Sequence, residues 1–234
     1  MEKLVKNIAK KLLFLEKNNL FNAMIPVKKY FLFVLKFIFA LLLINCSGNQ
    51  DYKVAESPQK IIPLKIGDTI PEITVYDEAG NPLQLNNLIS EKPSILIVYR
   101  GIWSMYCNQH ISELEDIAQE LYDMGFQIIA VTSDKPEKVV EMKDKYDVSF
   151  TIVSDTSNNA IKALGLAYDA RKIYWDMLLV LEENSGNKYY ILPVPAMFII
   201  NKSGVIMFEY VNPNFKIRIS PELLLTAAKV TLQE

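Results

Sequence analysis

The 234-residue chain is short of the residues that several common architectures require: it has two cysteines, one histidine and eight glycines. Two cysteines exclude a disulfide-dense scaffold. One histidine excludes His-cluster metal sites and most zinc-finger layouts. No GxGxxG or P-loop run occurs, so the two common nucleotide-phosphate cradles are absent. No internal repeat or low-complexity tract is present. Charge of either sign is nearly balanced, at −2 overall. That balance hides two unlike parts. The first 45 residues hold eight lysines and two glutamates, a net of +6, which leaves −8 for the remainder. An acidic domain is a poor nucleic-acid binder, because Lys and Arg neutralising phosphate dominate that affinity.

The basic part is built around Tyr30–Ile44, an apolar run broken only by Lys36 and preceded by Lys28 and Lys29. It is shorter than the ~20 residues of a bilayer span and suits a signal-peptide core. Cys46 follows directly. Leu43-Ile44-Asn45-Cys46 resembles the lipobox of bacterial lipoproteins, with Asn45 where the pattern has a small residue. The resemblance implies a lipidated Cys46 and an envelope protein anchored in a membrane, facing the periplasm or the outside. The alternative is an uncleaved anchor helix. Met24, just before the basic pair, is the expected start of translation. Residues 1–46 are thus expected to be an export segment and residues 47–65, polar with two prolines, a flexible tether.

The pattern of a folded domain begins at about residue 66. Ile73–Tyr76 and Pro82–Leu85 flank a turn-rich stretch and predict a β-hairpin. Ser94–Tyr99 is a continuous apolar run, as in a strand buried on both faces. Ser104–Met124 has helical spacing. Gln127–Thr132 predicts a strand, Pro136–Tyr146 a helix with proline in its first turn, Phe150–Val153 a strand and Ser157–Leu164 a short helix. Arg171–Leu181 is read as helical and Glu182–Lys188 as a loop. Met197–Asn201 and Val205–Tyr210 predict a hairpin, and Pro221–Leu232 a terminal helix. The alternation implies one α/β domain over 66–234, with a central mixed sheet covered by helices on both faces.

Chemistry concentrates where the buried strand meets the long helix, in Tyr99-Arg100-Gly101-Ile102-Trp103-Ser104-Met105-Tyr106-Cys107-Asn108. Catalytic groups gather at the carboxyl ends of strands in such sheets. Ser104 is a natural N-cap, which places Cys107 in the first helical turn. Backbone N–H groups and the helix dipole there stabilise a thiolate, and Arg100 adds positive charge. An inert buried cysteine is the other reading of Cys107.

The same stretch resembles the Y-R-G-x-W-C-P-Y-C-N motif of a bacterial group within the alkyl hydroperoxide reductase/peroxiredoxin-like (AhpC/TSA) branch of the thioredoxin-fold superfamily. Leu192-Pro193-Val194-Pro195-Ala196-Met197-Phe198-Ile199-Ile200 resembles that family's L-P-V-P-A-T-F-V-I, and Val211-Asn212-Pro213-Asn214-Phe215 its V-D-P-D-Y. The resemblance implies a thioredoxin-like three-layer fold with an N-terminal β-hairpin extension. It makes Pro195 a cis-proline and lets the Val194 backbone pair with a substrate strand beside Cys107. Ser104 stands where the motif has its first cysteine, and the domain holds no second thiol, so a dithiol cycle is not open to it. Peroxiredoxins instead carry a hydroxyl three residues before the cysteine, as Ser104 is before Cys107. Their later arginine has no match near Pro195.

The resemblance therefore implies a thiol-dependent peroxidase. Cys107 attacks a hydroperoxide, Ser104 and helix-start N–H groups hold the oxygens, and Arg100 stabilises charge. Trp103, Val194 and Pro195 line the substrate. An external thiol, from a thioredoxin-like protein or a small molecule, reduces the sulfenic acid. No cofactor or metal is called for. The alternatives are a degenerate module that binds peptides along the Val194-Pro195 edge and a monothiol disulfide reductase. His110, one turn after Cys107, is read as a helix-surface residue, with a proton-donor or charge-partner role open. Arg218 and Arg171 are read as surface charges.

Overall fold

A computed structural model describes residues 52–232. Two short strands, β1 (Thr74–Tyr76) and β2 (Pro82–Gln84), form the first hairpin. Its turn is closed by Asp77, whose carboxylate accepts the backbone N–H groups of Ala79 and Asn81 at 2.9 and 2.7 Å. Then come α1 (Leu85–Glu91), β3 (Ser94–Tyr99), α2 (Met105–Glu115), α3 (Ala118–Asp123), β4 (Gln127–Thr132), α4 (Pro136–Tyr146), β5 (Thr151–Ser154) and α5 (Asn159–Ala163). The chain continues through β6 (Ala167–Asp169), α6 (Leu178–Ser185), β7 (Ile191–Pro193), β8 (Ala196–Ile200), β9 (Ile206–Val211) and α7 (Pro221–Thr231).

Seven strands form one mixed sheet in the order β2-β1-β5-β4-β3-β8-β9. The three central strands β5, β4 and β3 are parallel, and β1, β8 and β9 pair antiparallel to their inner neighbours. β3 is buried along its whole length, so its two faces feed two cores. Ile95, Ile97 and Tyr99 pack with residues of α2, α3, α4 and α7, while Leu96 and Val98 pack with α1, α5 and β1. This period-2 division of an all-apolar run is what a strand between two helical layers requires. A third, smaller cluster joins Tyr168, Leu181, Leu192 and Val194, and Trp103 and Tyr174 pack against it.

Three expectations change. The predicted helix over Ser104–Met124 is two helices: the N–H of Ile117 bonds the Leu114 carbonyl at 3.3 Å and its backbone leaves the helical region (φ −111°, ψ 3°). Between residues 165 and 191 the helix expected at Arg171–Leu181 starts later and runs further: a one-turn 3-10 helix, Trp175–Met177, leads into α6, which takes in the first four residues of the loop expected at Glu182–Lys188. The Asp169 carboxylate accepts both the backbone N–H and the guanidinium of Arg171, closing a turn that excludes helix there. β6 and β7, three residues each, pair antiparallel and are too short to show a period.

The third change concerns the tether. Residues 1–51, with the export segment, Met24 and Cys46, lie outside the described residues. Residues 52–65 are not loose. Ala55 donates to the Ala167 carbonyl and accepts from the N–H of Asp169, both at 2.9 Å, and Leu64 donates to the Leu164 carbonyl at 3.1 Å. Tyr52, Val54, Ile61 and Leu64 pack on the second core. The contact demands glycine at 165: a Cβ there would sit 1.9 Å from the Ile62 carbonyl oxygen, on a backbone with φ of +71°. Sparse apolar residues without a period thus acquire order from edge pairing.

Candidate active site around Cys107

β3 ends at Tyr99, and the next five residues turn the chain into α2. Gly101 makes the turn possible at φ +138°. A Cβ on it would meet both carboxylate oxygens of Asp134, at 2.3 and 2.8 Å. Asp134, just beyond the end of the neighbouring strand β4, accepts the backbone N–H of Ile102 at 2.7 Å and so clamps the turn. Burial raises the Asp134 pKa to about 7, and the Ile102 bond works in the opposite direction.

Ser104 occupies the N-cap position with extended backbone, but its hydroxyl makes no capping bond. It accepts from Arg100 Nη2 at 2.7 Å instead. Cys107 is the third helical residue and is 0% exposed. Its own N–H is spent on the Ser104 carbonyl at 2.9 Å, so that amide is not open to a ligand.

Arg100 is 3% exposed. Besides Ser104 it donates to the Tyr174 hydroxyl at 2.6 Å. Its guanidinium lies 4.1 Å from the Phe215 ring centre, 5.1 Å from Trp103 and 5.7 Å from Tyr174. Those aromatic faces offset part of the cost of burying the cation. Arg218, read from the sequence as a surface charge, is half-buried instead, with Nη2 3.6 Å from Cys107 Sγ. Its Nη1 donates to the Phe215 and Ile217 carbonyls. Burial lowers its pKa, while the Cys107 sulfur works the other way. Among the described residues no carboxylate forms an ion pair with either arginine.

The predicted Arg100 and Ser104 thus meet through their side chains, and Cys107 joins them through its backbone N–H on the Ser104 carbonyl, with Trp103 packed against Tyr174. The Val194-Pro195 segment differs from expectation. No peptide bond is cis among the described residues, so Pro195 follows a trans bond. The Val194 N–H donates to the Leu166 carbonyl at 2.9 Å, and both residues are buried. That edge is therefore already paired and offers no free amide to a substrate strand. His110 also departs from expectation: it is 6% exposed rather than on the surface.

Sequence reasoning missed four participants, Asp134, Tyr174, Phe215 and Arg218. For Arg218 a signal existed. It interrupts Ile217-Arg218-Ile219, and a cation between a half-exposed and a buried isoleucine has a short reach to the interior.

Residues 66–209 match the AhpC/TSA family. Peroxiredoxin Bcp of Escherichia coli (strain K12) is 26% identical over 104 residues, which is 44% of this chain and 66%, just under two thirds, of the E. coli protein. Chloroplastic peroxiredoxin Q of Sedum lineare is 23% identical over 146 residues, 62% of this chain and 68% of that protein. Reduced Prx3 of Vibrio vulnificus in complex with hydrogen peroxide superposes with a TM-score of 0.60 at 18% identity, covering 70% of this chain and 99% of that one. The peroxidoxin BcpB of Mycobacterium tuberculosis gives 0.56 at 18% identity, covering 73% and 97%. At these identities the structural likeness establishes the fold, a thioredoxin-like α/β sandwich.

Proposed function

The chain belongs to the AhpC/TSA family, and on that footing we propose that it is a thiol-dependent peroxidase with Cys107 as its nucleophile. The observation that carries this reading is Arg218, whose Nη2 lies 3.6 Å from Cys107 Sγ, with a second buried arginine, Arg100, bonded to Ser104 at the start of the same helix; among the described residues neither is paired with a carboxylate. Positive charge without a counter-ion, in surroundings that water reaches poorly, favours an anion at the same place. A Cys107 thiolate and the oxygens of a hydroperoxide supply that negative charge.

The reaction follows from the arrangement. Cys107 attacks the terminal peroxide oxygen and the O–O bond breaks. The leaving alkoxide or hydroxide takes a proton and departs as alcohol or water, and Cys107 becomes a sulfenic acid. The Arg100 and Arg218 guanidiniums stabilise charge that develops on the oxygens, and the Ser104 hydroxyl, held by Arg100, orients them. Cys107 has no exposed surface, so neighbouring side chains move when peroxide enters. The only other cysteine in the sequence is Cys46, which this proposal assigns to lipid. Two external thiols therefore return the sulfenic acid to thiol, releasing a disulfide and water. A thioredoxin-like protein or a small thiol fills that role. The occupied Val194 N–H supports this reading over strand-pairing with a peptide.

Treating the full chain with one equivalent of hydrogen peroxide or an organic hydroperoxide and trapping with dimedone tests the proposal. Stoichiometric label on Cys107 that disappears in Cys107→Ala is expected. A thiol that stays unoxidised under excess peroxide overturns it.

We propose further that lipid on Cys46 holds the enzyme at a bacterial envelope membrane. The apolar run at 30–44, its basic flank and the lipobox-like Leu43-Ile44-Asn45-Cys46 support this. Metabolic labelling with palmitate is expected to mark the wild-type chain and not Cys46→Ser. Equal labelling of both overturns it.

A further inference from the structure

Arg218 touches Cys107 with one nitrogen and two carbonyls with another. Its third nitrogen, Nε, is buried without a partner. His110 Nε2 is buried without a partner as well. Both side chains line the same small cavity, about 10 Å³ in volume, together with Pro195, Met197 and Tyr210. A cavity of that size admits a single water when polar groups face it. Two orphaned polar atoms on side chains that line one such space are rare in a folded protein and costly if left unmatched.

Their chemistry is complementary. Arg Nε–H can only donate, and an imidazole nitrogen without its proton can only accept. Burial, and secondarily the charge of Arg218, lowers the His110 pKa to about 4, so the ring is neutral at ordinary pH. With the ring proton on Nδ1, a single water in the cavity would accept from Arg218 Nε–H and donate to His110 Nε2, satisfying both atoms. We propose that His110 is a positioning residue, which through one buried water fixes the Arg218 guanidinium against Cys107 Sγ. His110 and Cys107 lie three residues apart on α2, so one helical turn carries both the nucleophile and the anchor of its arginine. The proposal rests on the reading of Cys107 as the reactive thiol, not on the identity of its oxidant.

The test reads thiol reactivity without peroxide: iodoacetamide labelling of Cys107 in the full chain at fixed pH, resolved from Cys46 by peptide mass spectrometry. His110→Leu removes the acceptor and is expected to slow labelling about tenfold, the low end of what a nearby cation does for an anion. His110→Gln keeps an acceptor near the place of Nε2 and is expected to stay within about twofold of wild type. In an Arg218→Gln background, His110→Leu is expected to change nothing further. Equal slowing by Leu and Gln overturns the proposal, and so does undiminished slowing without Arg218. If His110→Leu does not fold by circular dichroism, His110→Asn, whose amide is too short to reach, takes its place with the same expectations. A crystal structure with the cavity dry would also overturn it. A chain that labels as expected but forms no sulfenic acid overturns the peroxidase reading alone.

Discussion

At the scale of residues, the site depends on backbone that only glycine supplies. Gly101 holds φ of +138° with the Asp134 carboxylate lying where a side chain would be. The turn it makes brings Arg100 and Ser104 close enough for their 2.7 Å bond. Gly101→Ala adds strain of about 1–3 kcal/mol from the dihedral, because few side chains tolerate φ of +138°. It also pushes the carboxylate off the Ile102 N–H, and a buried hydrogen bond lost in this way costs a further 1–3 kcal/mol or so. Denaturant unfolding is therefore expected to show a loss of about 2–6 kcal/mol, with slower peroxide oxidation of Cys107 in the molecules that remain folded. A variant within about 0.5 kcal/mol of wild type would mean that the turn relaxes freely and that Asp134 is no clamp.

At the scale of elements, legibility follows how locally each element is specified. β3, β4, α4 and α7 are read from sequence nearly to the residue, because a continuous apolar run or an amphipathic period lies wholly inside each one. The site divides along the same line. Arg100, Ser104 and Cys107 share one strand-to-helix connection, so their juxtaposition is a local fact that the sequence displays. Asp134, Tyr174 and Arg218 reach that connection across 32, 74 and 111 residues respectively. Each arrives as a single side chain at the end of a segment whose own pattern reports only its local fold. Tyr174 depends on the Asp169–Arg171 turn, and Arg218 on the path from β9 to α7, neither of which has a period. The segment at 52–65 is hidden for the same reason, since its order comes from pairing with β6 rather than from its own spacing.

At the scale of the whole molecule, the buried ionisable groups set how stability varies with pH. Burial raises the pKa of Asp134 and of Asp155 to about 7, against roughly 3.9 in an unfolded chain. Between about pH 4 and 7 the folded state therefore holds more protons at these carboxyls than the unfolded state, and stability falls as pH rises through that window. His110 acts in the opposite sense. Its pKa of about 4 in the fold lies below the unfolded value near 6.5, so its contribution is present above pH 6.5 and is lost as pH falls toward 4. Two carboxyls outweigh one imidazole, and the net expectation is a fold less stable at pH 7.5 than at pH 4.5. The exposed carboxylates with lowered pKa values, such as Asp77 and Glu222, lose their contribution only as pH falls through their lower folded values, largely below this window. Asp134→Asn keeps an acceptor for the Ile102 N–H while removing the charge. Its stability difference between pH 4.5 and 7.5, from urea unfolding, is expected to be smaller than that of wild type. At about 1.4 kcal/mol per pKa unit, the reduction between these two pH values reaches up to about 3 kcal/mol. If Asp134→Asn shows the same slope as wild type, then Asp134 is ionised throughout the range. Burial would then not be what sets the titration of this carboxyl, and the pH dependence of stability would rest on Asp155 and His110 alone.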